Sequence, residues 1–332
     1  MLSEPALSVA LPTVRVRAPG KAMIVGEYAV LDGSPAVVAA IDCFADAVLP
    51  ADTNSGTSAF VMAAQSHART TLQAAGVALA SSYADRLPQI DTSSFSREGR
   101  KLGLGSSAAA TVAAVGCWYA AAGLDLESDP VRRDLAAAAR SAHDDAQGVR
   151  GSGSDILAAT WGGLRVVNER TDAQSPARLQ LPAGLCLRLI ATTESASTAQ
   201  LVARYREAGD ATRAARQQLA QAARAFIAAC QAAESHAALQ SFDQALQGYV
   251  QLGDAIGSPL ATADHLAIAK VVKSLGGAAK PSGAGGGDLA VALLPCDIRP
   301  QQLAQSLPSE LWLLPLAISE RGIHPLSNLP AA

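Results

Sequence analysis

The stretch KLGLGSSAAATVAAVG, residues 101–116, sets glycine, serine and alanine beside one lysine and then runs on as a small-residue helix. Glycine lets a backbone approach a ligand closely, and successive N–H groups in such a turn can aim at one anion. A helix opening at Gly105 or Ser106 adds the partial positive charge of its N-terminus. Ser106 and Ser107 can cap that helix, bind a phosphate oxygen or hold a magnesium ion, while Lys101 brings charge to the mouth. Together these features suit a nucleoside triphosphate. Two other readings use the same residues. Gly103, Gly105 and Ala108 fit a loose G-x-G-x-x-A dinucleotide pattern with Asp125 further on, yet SSFSREGRK before them is not the apolar strand that pattern needs. The other is a serine-capped, alanine-rich core helix with no ligand.

Three further stretches flank this one. In APGKAMIVGEYAVL (18–31) a Pro-Gly turn puts Lys21 at the start of a strand, within range of a transferred phosphoryl group; alone it would read as a hairpin with an exposed lysine. In AHDDAQGVRGSGSDILAATWGG (142–163), Gly151 and Gly153 bracket Ser152, and Asp155 follows. That aspartate is either a helix N-cap or a carboxylate that orients and deprotonates an acceptor. KPSGAGGGD (280–288) joins an apolar helix to an apolar strand, so its glycines read as backbone passing beneath a ligand rather than as a flexible linker.

Composition narrows the function classes. The 332 residues are 49% hydrophobic and 17% charged, as in a globular protein of two lobes. A net charge of −3 gives no reason to expect a nucleic-acid partner. Lysine occurs only at positions 21, 101, 270, 273 and 280, and three of these lie in glycine-containing stretches. The cysteines (43, 117, 186, 230, 296) show no metal or redox spacing and read as reduced and buried; the histidines are equally scattered, so a zinc site is not expected. The N-terminus lacks a signal-peptide pattern, and the uncharged run 106–124 is too weakly hydrophobic for a membrane span. The expectation is a cytoplasmic protein with no membrane partner, monomeric or homodimeric.

Strands are expected at 13–20, along 22–31 and 35–49, at LRVV (164–167), LCLRLIAT (185–192), DLAVALL (288–294) and WLLPLAI (312–318). Helices are expected near 59–80, at 106–122, at 129–148 with Asp129 as N-cap and Pro130 at its first position, from about 198 to 257, at 262–275 and at 298–307. The polar stretch 168–184 is the expected lobe boundary, dividing the chain into 1–175 and 176–332. Without regular βαβα alternation, the class is α+β, with helices packed on one side of the sheets.

Taken in order and spacing, the four stretches resemble the GHMP kinase superfamily, whose central motif is matched here by GLGSSAA. Within it, the chain is most similar to the phosphomevalonate kinases. Glu27-Tyr28 stands where mevalonate kinases usually carry Glu-His, and the family pattern A-H-x-x-A-Q-G-x-x-G-S-G-x-D is matched from Ala142 to Asp155. S-G-A-G-G-G-D is matched by Ser282 to Asp288, an A-S-T signature by Ala196 to Thr198, and the tail GIHPL (322–326) is similar too. The chain departs at Thr192-Thr193-Glu194, where the family often has Thr-Gly and then a lysine.

The resemblance implies an N-terminal lobe like domain 2 of ribosomal protein S5 and a ferredoxin-like C-terminal lobe, with ATP and substrate between them. It implies ATP and Mg2+ as cofactors and phosphomevalonate as acceptor; mevalonate or another small acceptor, or a non-catalytic ligand-binding homologue, are the alternatives. Lys101, Gly103, Leu104, Gly105, Ser106, Ser107 and Ala108 would hold the nucleotide, with Ser107 toward the metal. Lys21 and Asp155 would be catalytic. Lys21, Lys101, Ser152, Gly153, Ser197, Thr198, Gly285, Gly286 and Gly287 would surround the acceptor.

Overall fold

The computed structural model describes residues 12–49, 58–148, 150–168 and 175–326. The chain opens with strand β1 (Val14–Val25), a short 3-10 turn (Ala29–Asp32) and β2 (Ala36–Leu49). Helices α1 (Ala59–Ala74) and α2 (Ser81–Ala84) lead to three short strands: β3 (Gln89–Asp91), β4 (Ser96–Arg97) and β5 (Arg100–Lys101). Then come α3 (Ser106–Ala121), α4 (Asp129–Gln147) and α5 (Ser154–Trp161), followed by β6 (Leu164–Val167) and β7 (Arg178–Leu179). Of the expected boundary stretch, residues 169–174 lie outside the described residues.

The second half begins with β8 (Leu185–Ala191), then α6 (Thr198–Ala208), α7 (Arg213–Gln231), α8 (Ser235–Ile256) and α9 (Ala263–Ser274). It continues with β9 (Ala278–Pro281), β10 (Leu289–Pro295), α10 (Pro300–Ser306), β11 (Trp312–Leu314) and β12 (His324–Pro325).

Two sheets organise these elements. The first runs β12-β1-β2-β6-β7, with β3 also on β2; the second runs β11-β8-β10-β9. In the second, the chain order is strand, helices, two strands, helix, strand, and the spatial order is fourth, first, third, second. That is the ferredoxin-like arrangement expected for this lobe. The last strand leaves that lobe and pairs with β1, Arg17 opposite His324.

Small residues bring α3 close to the first sheet. It packs on β1 and β2 beneath α1 and α4 and is buried on nearly every side from Ala108 to Tyr119. At Gly116 a Cβ would stand 2.2 Å from Ile323 Cδ1, so the missing side chain makes room for the returning tail.

Five expectations need correction. Pro19-Gly20 is not a turn: β1 continues through it with a register shift, because Gly20 admits Leu104 O and the Phe95 ring where a Cβ would lie 2.7 Å from each. Ser128, not Asp129, is the N-cap of α4, and the expected helix at 198–257 is three helices broken near Gly209 and Ala233. The first expected helix ends at Ala74. Finally, Cys186 and Cys296 form a disulfide, whereas Cys43, Cys117 and Cys230 are free. The two bonded residues are 110 positions apart, but the register that sets Leu185 opposite Pro295 brings them together.

Candidate active site

The glycine turn before α3 is bare backbone. Gly105, with φ 75°, is the N-cap, and no side chain caps the helix; Ser106 and Ser107 are its first two residues instead of the expected caps. The first intrahelical bond runs from Ala109 N to Gly105 O at 3.1 Å. The N–H groups of Ser106, Ser107 and Ala108 therefore have no acceptor within the helix, which is the condition for binding an anion there.

Lys21 lies along this turn. Its N–H donates to Leu104 O at 2.8 Å, and a Cβ on Gly105 would stand 3.0 Å from Lys21 Cγ. A side chain at position 105 would displace the lysine stem.

Ser107 Oγ is 3.1 Å from His143 Nε2, and Gln147 Nε2 approaches the same nitrogen at 3.3 Å. His143 is buried, its ring 5.3 Å from that of Phe60. Both neighbours can donate to this one nitrogen, which leaves the Ser107 lone pairs facing outward.

The middle loop is shaped by an arginine. Gly153 (φ 72°) caps α5, and a Cβ there would meet Arg140 Cζ at 2.8 Å; Arg140 Nη2 donates to Gly151 O at 3.3 Å. Ser152 and Ser154 hydroxyls are 2.9 Å apart, and Ser154 Oγ donates to Met23 Sδ at 3.4 Å, two residues from Lys21. Asp155 is half-buried in the first turn of α5, where its Oδ1 accepts from Ile156 N at 3.1 Å. The N-cap of that helix is Gly153, so Asp155 is not the N-cap, though it satisfies one first-turn N–H group.

The third loop is pinned at several points. Ser282 Oγ donates to Met23 O at 2.9 Å, the Tyr28 hydroxyl to Ala284 O at 2.6 Å and the Tyr249 hydroxyl to Gly283 O at 2.5 Å. Burial, with Glu27 adding to it, pushes both phenols well above their ordinary pKa, so both remain donors. Where Gly285, Gly286 and Gly287 lack a Cβ, the space is taken by Leu260 O, Leu201 and Glu194 O respectively. Asp288, at φ 59°, accepts from Ser195 Oγ at 2.8 Å, and its Cβ lies 3.0 Å from where a Gly103 Cβ would be.

Beneath this loop sits a buried ion pair. Lys280 Nζ is 2.5 Å from Glu27 Oε1, with side chains 0% and 2% exposed, and it also donates to Pro281 O at 2.7 Å. The Phe242 and Tyr249 rings face the ammonium at 5.7 and 5.4 Å. Burial pushes the Lys280 pKa down, and Glu27 opposes that. Glu27 Oε2 has no partner among the described residues.

The glycine turn thus touches Lys21 on one side and Asp288 on the other, while Met23 joins the middle and third loops. Gly286 and Asp288 bring in the segment 194–201. Three expected residues stand apart. Lys101 is exposed on the β4–β5 ribbon; its neighbour Arg100 reaches the carbonyls of Thr192 and Thr193 instead. Ser197 caps α6 by accepting from Gln200 N at 3.4 Å, and Thr198 is the exposed first residue of that helix. Sequence reasoning passed over Arg100, Arg140, His143 and Asp288 as site residues, and missed the pairing of Lys280 with Glu27. His143 and Asp288 lay inside the matched motifs, and Lys280 among the scarce lysines; nothing local marked Arg100 or Arg140.

Residues 59–163 match the family of GHMP kinases N terminal domain. A phosphomevalonate kinase of Streptomyces sp. (strain CL190) is 32% identical over an alignment of 342 positions, covering 85% of this chain and 90% of that protein. Among solved structures, Streptococcus pneumoniae phosphomevalonate kinase in complex with phosphomevalonate and AMPPNP superposes with a TM-score of 0.75 at 19% identity, over 93% of this chain and all of that one. L. major mevalonate kinase in complex with R-mevalonate gives 0.64 at 18%, over 97% and 100%. At those identities the two structures show a common fold. Among the described residues no helix is long and apolar enough to cross a membrane. With the glycine turn, the pinned third loop and a relative this similar over nearly its whole length, the chain belongs to the GHMP kinases, in the phosphomevalonate kinase family.

Proposed function

We propose that the protein transfers the γ-phosphoryl group of ATP to (R)-5-phosphomevalonate, giving ADP and 5-diphosphomevalonate. The observation that carries this reading is the contact of the uncapped glycine turn with Lys21 on one side and the third glycine loop on the other. Phosphoryl transfer asks chiefly for positioning and charge stabilisation, and these elements supply both. The free N–H groups of Ser106 to Ala108 hold the nucleotide phosphates. Lys21 stabilises charge on the group in transfer, and Ser152, Gly153 and the 285–287 floor orient the acceptor.

Lys101, Ser197 and Thr198 take part only at the rim. The acceptor is itself a phosphate with a second pKa of about 6, so it needs little help in losing a proton. Asp155 therefore acts by orienting the acceptor and Lys21 more than as a base.

A magnesium ion fits the residues present. Mg2+ keeps several waters and is held largely by substrate phosphates, so it asks few protein ligands. Among the described residues no group of three His, Cys, Asp or Glu forms a cage, and the outward lone pairs of Ser107 suit that sparse demand. When bound, the ion neutralises charge on the phosphate oxygens.

We assign the two lobes to 1–175 and 176–332, with β7 and β12 of the second stretch completing the sheet of the first lobe. The test of function is an ADP-release assay with phosphomevalonate, mevalonate, homoserine and galactose. Turnover on phosphomevalonate far above the others is expected. Preference for mevalonate would move the chain to the neighbouring reaction, and ATP binding without turnover on any acceptor would make it a ligand-binding homologue.

A further inference from the structure

A cavity of about 560 Å³ lies between the 29–34 turn and α7 and shares no residue with the glycine turn, the middle loop or the third loop. Arg213, Arg216 and Arg224 line it, and its one carboxylate is Asp32. The arginines fall on one stripe of α7, with Gln217 and Gln221 between them and Ser34 opposite. Their spacing of three and eight residues follows the helical repeat, with backbone positions spread over roughly 16 Å of axis.

Partners for this charge are few. Arg216 Nη1 holds Asp32 at 2.9 Å, but its Nε is buried without a hydrogen-bond partner. Arg213 pairs only with Asp210, an exposed residue of the preceding turn. Arg224 has no ion pair or hydrogen bond among the described residues and no carboxylate beside it in the cavity. Asp32 is already shared, since the Tyr205 hydroxyl also donates to it at 2.5 Å. Three guanidiniums against Asp32 and the exposed Asp210 leave one positive charge, that of Arg224, unanswered. Guanidiniums present planar forks that match phosphate oxygens, and glutamine amides and a serine hydroxyl add neutral donors.

We propose that this cavity binds a small molecule carrying two linked phosphates, at a site separate from the catalytic cleft. Arginine side chains are long enough to converge from that stripe, and two linked phosphates offer oxygens to more than one guanidinium fork at once. The ester's organic part could be a nucleoside or an alkyl chain, and the experiment separates them.

Binding of inorganic pyrophosphate to the full-length protein is measured by titration calorimetry at low and high salt. Three proteins are compared: wild type, Lys21→Met, and the double variant Arg213→Gln/Arg224→Gln, whose changes are exposed and leave the core intact. The expected result is salt-sensitive binding retained in Lys21→Met and weakened at least about tenfold in the double variant, as loss of charge-assisted contacts requires. Arg213→Lys/Arg224→Lys should bind at an intermediate level, keeping charge without the fork. ADP and a simple alkyl diphosphate are then tested as competitors on the Lys21→Met protein, and the stronger competitor names the ester. Absence of pyrophosphate binding, equal affinity in the glutamine variant, complete loss in Lys21→Met, or failure of both esters to compete would each overturn the proposal. None of these outcomes depends on which acceptor the catalytic cleft phosphorylates.

Discussion

Lys280 and Glu27 meet across the two halves of the molecule, Nζ to Oε1 at 2.5 Å, with neither side chain open to solvent. Lys280 belongs to β9 of the second sheet, and Glu27 follows β1 of the first. Removing one partner leaves a charge stranded in the core, which costs about 3–5 kcal/mol. Lys280→Met and Glu27→Gln are each expected to lower stability strongly, and the double variant less than their sum. A double-mutant cycle by urea denaturation checks this; additive losses would mean the pair is not coupled.

Lys21 and Asp155 have unequal shares in the proposed reaction. Lys21→Met is expected to lower kcat by about 10²–10³-fold, the usual effect of losing one preorganised charge-stabilising group. Asp155→Asn is expected to lose less, because the acceptor phosphate is already largely ionised at neutral pH. Steady-state kinetics at saturating ATP and acceptor, with folding verified by circular dichroism, decides. Near-normal turnover in both variants would remove them from the chemistry.

His265 gives stability a pH dependence. Its Nδ1 accepts from Thr262 N at 3.1 Å and its Nε2 faces Leu289 O at 3.4 Å, an arrangement that suits the neutral ring. Burial pushes its pKa down from 6.5 to about 4. Between those values the unfolded chain binds more protons than the folded one, so stability falls as pH drops from 6.5 toward 4. The full loss is on the order of 3 kcal/mol. Tm measured across this range should decline in the wild type and decline less in His265→Gln.

The cysteine pairing is directly countable. Thiol titration of protein denatured without reductant should find three reactive groups, from Cys43, Cys117 and Cys230, and five after reduction. Five before reduction would mean that Cys186 and Cys296 are not bonded. Because their bond closes a span of 110 positions, reduction is expected to lower stability, by up to about 4–5 kcal/mol in the chain-entropy account, and Tm with it.

Where sequence reasoning succeeded, the information was local. The start of α3 at Ser106, the strand LRVV and the strand after KPSGAGGGD depend on residues within a few positions of one another. It failed where a distant element decides. Pro19-Gly20 has the composition of a turn, but Leu104 and Phe95 fill the space beside Gly20 and hold the strand straight on. Arg140 looks like a surface residue of a charged helix until Gly153 is seen to leave room for its guanidinium. The lysine under the third loop was noticed for its scarcity, yet its carboxylate partner lies 253 positions away.

The return of β12 to β1 also bears on how the chain is made. Ile323 fills the notch at Gly116, and His324 pairs with Arg17, so the first sheet's outer strand and part of its helix packing come from residues made long after β1. While those residues are still inside the ribosome, β1 presents an unpaired edge, the kind of surface that recruits other strands. The N-terminal half must therefore wait, incompletely zipped, until β12 has been made.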